Sequence, residues 1–186
     1  MTDVRPLDLE GAFEISPKKF GDDRGFFSET FNSDALKEQG IEIDFVQDNH
    51  SFSAAKGVLR GIHFQNAPHA QDKLVRVTRG RAYDVLVDLR RNSGTYKKWI
   101  GIEVSAEKWN QVLVPKGFGH GFVTLEENTE FLYKVSDFYA PQCDRCIRFD
   151  DPELNIDWPV DSDEIQQSAK DGSAPFLAKI ENEISF

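Results

Sequence analysis

Hydrophobic and polar residues alternate at period two through most of this chain, which is the pattern of half-buried strands. Lys73–Thr78, Ala82–Asp88, Trp99–Val104, Gln111–Val114, Gly121–Leu125 and Glu130–Val135 all read this way. Turn signals separate them: Thr78-Arg79-Gly80-Arg81, Asn92-Ser93-Gly94, Pro115-Lys116-Gly117 and Glu127-Asn128. One stretch reads as a helix, Ser33 to Gln39, with Asn32 or Ser33 as N-cap and Gly40 as the stop. Short, evenly spaced strands without crossover helices predict an all-β antiparallel sandwich or barrel. After Trp158-Pro159 the chain turns acidic and Ser-rich, then more apolar. That predicts a helical or irregular C-terminal cap over roughly 160–186, and a single domain over 1–186.

Composition agrees with a β core. Hydrophobic residues make up 39% of the 186, with 15 Phe and one Met. The net charge of −10 repels nucleic acid, so an anionic partner must be held by a local cluster of Arg and Lys. Cys143 and Cys146 have no second pair nearby to complete a zinc site and no βαβ context for a redox dithiol, so they read as free thiols. The start, Met1-Thr2-Asp3-Val4-Arg5, lacks a signal-peptide pattern, and no apolar run approaches about 18 residues. A cytoplasmic protein without membrane or nucleic-acid partners is expected.

Two segments fit the paired signatures of the cupins, and their misfits are informative. Gly57 is followed after five residues by His63, but Gln65 stands where a second His belongs. Lys73, six residues before Gly80, replaces a Glu. Pro115-Lys116-Gly117-Phe118-Gly119-His120 meets the second signature in full. The fit predicts a cupin-type antiparallel jelly-roll barrel with a few short helices. An amide and an ammonium cannot replace imidazole and carboxylate around a divalent ion, so no metal and no cofactor are expected. A cation beside a histidine suits removal of a proton alpha to a carbonyl, with the cation on the developing oxyanion. Tyr133 is an inward candidate for the acid. A single barrel His or Tyr is more often structural; it is the joint placement of His63, Lys73 and His120 that favours chemistry. Arg60, three residues before His63, has the wrong strand parity to share its face unless Gly61 carries a bend or bulge. On the residues alone, an epimerase, a metal-dependent cupin enzyme and a non-catalytic sugar-binding cupin all stay open.

Longer blocks narrow this. Asp23–Phe31, Gln47–Ser51, Gly57–Gln65, Lys73–Val77, Tyr83–Arg90, Pro115–Phe122, Tyr133–Pro141, Asp150-Asp151-Pro152 and Ile156–Pro159, in this order, resemble the dTDP-4-dehydrorhamnose 3,5-epimerases. The resemblance implies a cofactor-independent homodimer that inverts C3 and C5 of dTDP-4-keto-6-deoxyglucose on the route to dTDP-rhamnose. It also implies roles: His63 as proton acceptor, Tyr133 as donor, Lys73 on the enolate, and Asp171 as the carboxylate paired with His63. Arg24, Arg60 and His120 would contact diphosphate or sugar, with Glu29, Gln47 and Asn49 nearby. Tyr139 would stack on thymine, and Asp144 and Lys170 would also bind substrate. N-terminal strands would cross to the partner subunit, so that Arg24, Phe27 and Glu29 complete its site. Single-site epimerases and enzymes for GDP-linked keto sugars share much of this pattern.

Overall fold

Strand parity sends alternate side chains to opposite faces, and in this chain both faces are covered. The computed structural model describes residues 2–186. The N-terminal part contains β1 (Asp3–Pro6), β2 (Phe13–Ser16), β3 (Phe20–Asp22), β4 (Gly25–Phe27), α1 (Ser33–Lys37) and β5 (Gln47–Ser53). The body follows with β6 (Leu59–Gln65), β7 (Lys73–Arg79), β8 (Arg81–Asp88), β9 (Trp99–Ser105), β10 (Gln111–Val114), β11 (Phe118–Thr124) and β12 (Thr129–Val135). Strand β13 (Asp144–Cys146) precedes two short helices, α2 (Ala169–Gly172) and α3 (Leu177–Ile180).

Six strands pair in the order β1-β2-β10-β7-β12-β5 and five in the order β13-β6-β11-β8-β9; β3 and β4 form a separate hairpin. The named strands pair antiparallel throughout. This is the all-β jelly roll of cupin type that the sequence predicts, with few helices and a C-terminal cap.

Parity explains the layers. Val75 and Val77 of β7, Ala82 and Leu86 of β8, Phe122 of β11 and Phe131 of β12 point inward into one core between the sheets. Phe122 and Phe131, from opposite sheets, stack with ring centroids 3.9 Å apart and plug the barrel. The alternate residues of β8, Val85 and Val87, face outward with Ile62 and Phe64. There they meet Ile147, Leu154, Leu177, Ile180 and Ile184 from the C-terminal part. On the other sheet, Leu74 and Leu113 face Leu36 of α1 and Ile41. The outer cover buries residues of both parities along most of β8 and the whole of β11.

Helix α1 lies where the sequence places it but ends two residues early. The Asn32 side chain accepts bonds from Asp34 N and Ala35 N, which is an N-cap. Gln39 N bonds back to Leu36 O, a tighter turn, and Gly40 follows at φ +79°.

Strands β6 and β11 lie close together at two glycines. A Cβ at Gly61 (φ +123°) would lie 2.5 Å from Gly121 Cα and 2.8 Å from His120 O. A Cβ at Gly121 would lie 2.9 Å from Arg60 O. The β11–β6 register shifts at this point, between His120 and Phe122. Replacing Gly61 with Ala should cost on the order of 3 kcal/mol, from backbone strain together with the contact on Gly121. Urea unfolding would read this as a lower midpoint at unchanged slope. A midpoint equal to the parent's would show that the close approach imposes no such constraint.

Candidate active site

A cavity of about 750 Å³ opens between the two sheets. The five-stranded sheet supplies its histidines. His63 on β6 and His120 on β11 are direct cross-strand partners. Arg60 also lines the cavity, although its parity opposes that of His63; the irregularity at Gly61 supplies the bend that the sequence requires.

Each histidine holds a carboxylate. His63 Nε2 lies 2.9 Å from Asp171 Oδ1. Asp171 sits on α2, where its N–H donates to the Ser168 hydroxyl that caps the helix. Burial would raise the Asp171 carboxyl, but the bond and charge of His63, the Ser168 bond and Lys170 outweigh it and hold the carboxyl below its ordinary range. His120 Nε2 lies 2.7 Å from Asp84 Oδ1, with Asp84 fully buried. The other Asp84 oxygen has no hydrogen-bond partner among the described residues.

The six-stranded sheet faces these groups with residues of one parity. Tyr133 on β12 pairs with Asn49 on β5 and Val75 on β7, and Gln47 pairs with Val135, so Gln47, Asn49, Tyr133 and Lys73 share one face and all line the cavity. Lys73 is buried, and its Nζ donates to the His63 main-chain carbonyl at 3.4 Å. Burial pushes its ammonium down to about 8, with Asp144 and Asp84 pulling the other way. Burial raises the Tyr133 phenol, opposed by Arg60 and reinforced by Asp144. Tyr133 therefore keeps its proton at neutral pH and can give it away.

At the mouth, Lys170 Nζ donates to Asp144 Oδ2 at 2.5 Å, and Tyr139 OH donates to the same oxygen at 3.4 Å. Gln47 Nε2 donates to Asn49 Oδ1 at 2.9 Å, and Tyr139 N donates to Gln47 Oε1 at 3.4 Å. The Tyr139 ring is 57% exposed, an open aromatic face beside the cavity. Gln65 stays out of the chemistry. Its amide donates to His69 O and Phe138 O and its oxygen accepts from Ala140 N, so it clamps the 138–140 loop. The two cupin ligand positions thus hold a saturated amide and a cation, a donor set unsuited to a divalent ion there.

Three expected residues lie elsewhere. Arg24, on the turn of the β3–β4 hairpin, is exposed and ion-pairs with Asp22. Phe27, 69% exposed, ends that hairpin. Glu29 accepts a bond from Asn32 Nδ2 beside α1. The hairpin makes its own two-stranded sheet, so these side chains do not reach this chain's own cavity. Asp84 and Asp171 are each bonded to a histidine, and Asp84 acts on Lys73 through its charge. Sequence reasoning missed Gln166, Gln167 and Ser168, which line the cavity. The Ser168-x-x-Asp171 spacing, a capping pattern, was the available signal for the last of these.

This geometry has counterparts in known proteins. The family model of dTDP-4-dehydrorhamnose 3,5-epimerase matches residues 6–179. The chain is 53% identical over 162 residues to a dTDP-4-dehydrorhamnose 3,5-epimerase of Pseudomonas aeruginosa, covering 86% of this chain and 88% of that one. The crystal structure of the Bacillus anthracis dTDP-4-dehydrorhamnose 3,5-epimerase, with TDP and PPi bound, superposes with a TM-score of 0.92 at 46% identity, covering 95% of this chain and 100% of that chain. A dTDP-6-deoxy-D-glucose-3,5-epimerase of Legionella pneumophila, in complex with dTDP-4-keto-L-rhamnose, superposes with a TM-score of 0.94 at 41% identity, covering 100% and 99%. With the fold, the cavity and the matched length in agreement, this chain belongs to the dTDP-4-dehydrorhamnose 3,5-epimerase family.

Proposed function

We propose that this enzyme inverts C3 and C5 of dTDP-4-keto-6-deoxy-D-glucose, giving dTDP-4-keto-L-rhamnose for dTDP-rhamnose synthesis. The observation that carries the reading is the placement of His63, paired with Asp171 of α2, on one sheet and Tyr133 on the other, with the Lys73 ammonium bonded to the His63 backbone. The C4 ketone acidifies the hydrogens on C3 and C5. With Nε2–H bonded to Asp171, a neutral His63 presents the Nδ1 lone pair as the base. Proton removal puts negative charge on O4, where Lys73 stabilises it. A donor at such a site is worth roughly 3–4 kcal/mol. Tyr133 returns the proton from the opposite face, and the stereocentre inverts.

Binding groups complete the reading. Arg60 and His120 hold the diphosphate or sugar, and Tyr139 stacks on the thymine at the mouth. Gln47, Asn49, Asp144 and Lys170 position the rest. The two free, buried cysteines suit a reducing compartment such as the cytoplasm. Among the described residues no helix is long and apolar enough to cross a membrane.

A homodimer accounts for the displaced residues. Phe20, Phe26 and Phe27 expose more than half of their surface on one small hairpin. A second copy covering this patch would bury it and place Arg24, Phe27 and Glu29 at the neighbour's cavity.

Three outcomes are expected. In D₂O with EDTA, proton NMR should show deuterium entering both C3 and C5. His63→Asn should lose both exchanges, on the order of 10²–10⁴ in rate, while Tyr133→Phe should keep exchange and lose most inverted product. Equal loss of exchange and product in Tyr133→Phe would remove its role as donor. The kcat/KM should fall as pH rises through about 8, where the depressed Lys73 ammonium loses its proton; the charged form exists below that value. Lys73→Met should cost roughly 10²–10³ in kcat and abolish this limb, and a limb unchanged in that variant would assign it to another group. Finally, Phe27→Asp should convert a two-chain particle to one chain by light scattering while its circular dichroism stays intact. A dimer indifferent to that change would place the interface elsewhere.

A further inference from the structure

We propose that His63, Asp171 and Cys146 form a zinc-binding site whose occupation switches off the His63–Asp171 pair. Cys146 on β13 is the direct cross-strand partner of His63 on β6, so the thiol is held beside the imidazole by sheet register. Asp171 reaches the same point from α2. One ligand atom from each of His63, Cys146 and Asp171 lies within 4.8 Å of the other two. Nε2 and Oδ1 are 2.9 Å apart, and Sγ and Oδ1 are 3.8 Å apart.

Thiolate, imidazole and carboxylate are the ligand types that zinc takes, at bond lengths of about 2.0–2.3 Å. Tetrahedral geometry at those lengths separates ligand atoms by roughly 3.3–3.6 Å. The three atoms bracket that spacing, so adjustments of about an ångström or less would seat the ion. Three protein ligands leave the fourth position for water or a substrate oxygen. That position opens on the cavity, which His63 and Asp171 line. Of the three ligands only His63 stands at a cupin ligand position; Cys146 and Asp171 lie outside both signatures, where Gln65, Lys73 and His120 fill the other places. The site is also not the Cys-x-x-Cys pair, because Cys143 Sγ is directed at the Ala67 carbonyl.

Proton accounting shows what the ion does. Cys146 gives its thiol proton to solvent and ligates as thiolate. His63 stays neutral, and its proton moves from Nε2, now on the metal, to Nδ1. No electron is transferred. The Nδ1 lone pair is the base in the proposed reaction, so a metal on Nε2 removes the base as well as the Asp171 bond that orients it. This loss of activity rests on the reading of His63 as base; the metal site itself stands on geometry and ligand chemistry.

The test titrates the full chain, stripped with EDTA, with Co²⁺ and follows the near-ultraviolet thiolate-to-cobalt band while turnover is assayed in parallel. Zn²⁺ then competes. One equivalent of Co²⁺ should bring up the band and abolish turnover, and Zn²⁺ should displace it. Cys146→Ser should retain metal-free turnover, lose the band, and become roughly 100-fold less sensitive to Zn²⁺, the upper range of what losing even an outer partner costs a metal site. Cys143→Ser should behave as the parent. The proposal is overturned by absence of the band in the parent, by its survival in Cys146→Ser, or by its loss in Cys143→Ser. An expected band with turnover intact at saturating metal would support the site and overturn the assignment of His63 as base.

Discussion

A buried ammonium is costly to hold in this barrel, and the groups around the cavity are arranged about it. Lys73 leaves water on an inward position of β7, where an uncompensated charge would cost several kcal/mol. The neighbourhood offsets this with Asp84 and Asp144, whose fields favour the charged form. Those carboxylates are in turn tied down, Asp84 by His120 and Asp144 by Lys170. Compensation is incomplete, and the lysine sits near its ionisation point at about 8. Such a group is already paid for by the fold, so in the proposed reaction its stabilisation of an enolate would require no rearrangement when the charge appears.

The same economy of placement governs the opposing face. His63 and His120 share a sheet and a cross-strand pair, yet Arg60 is three residues away on the wrong parity. The irregular step at Gly61, possible because neither it nor Gly121 carries a Cβ, lets three cation-capable side chains converge on one cavity. Within a chain of net charge −10, Arg60 and Lys73 thereby bring positive charge to the cavity, which suits the diphosphate of the proposed substrate.

Most of the barrel was legible because period-two alternation survives wherever one face is a core. The strands from Lys73 to Val135 fall within a few residues of their expected limits; β11 begins three residues early because the Pro-x-Gly-x-x-His turn feeds straight into it. Strands β1, β2, β5 and β6 were not among those expected, and neither were the weakly patterned ones. Strands β3 and β4 are exposed throughout, and β13 is three residues long, too short for a period to show. Within the site, His63, Lys73, His120 and Tyr133 stood at motif positions, whereas the His120–Asp84 bond and the Gln65 clamp depend on contacts between distant strands and loops. Arg24, Phe27 and Glu29 show the opposite limit: a single chain's cavity cannot hold residues whose hairpin stands apart from both sheets.

In the proposed mechanism Asp171 ties the base to the C-terminal part of the chain. Its helix α2 is only four residues long and cannot persist alone. It is fixed from both sides, by the parallel bridge of Val58 with Gln166 and by Leu177, Ile180 and Ile184 packed on the outer face of the five-stranded sheet. Each of those apolar side chains contributes roughly 1.5–3 kcal/mol on burial. The orientation of the His63 imidazole, and hence which nitrogen carries the proton, thus depends on a hydrophobic contact on the far side of the sheet from the cavity. Loosening the cap should therefore weaken proton abstraction before it unfolds the barrel, because the barrel core of Val75, Phe122 and Phe131 makes no use of it.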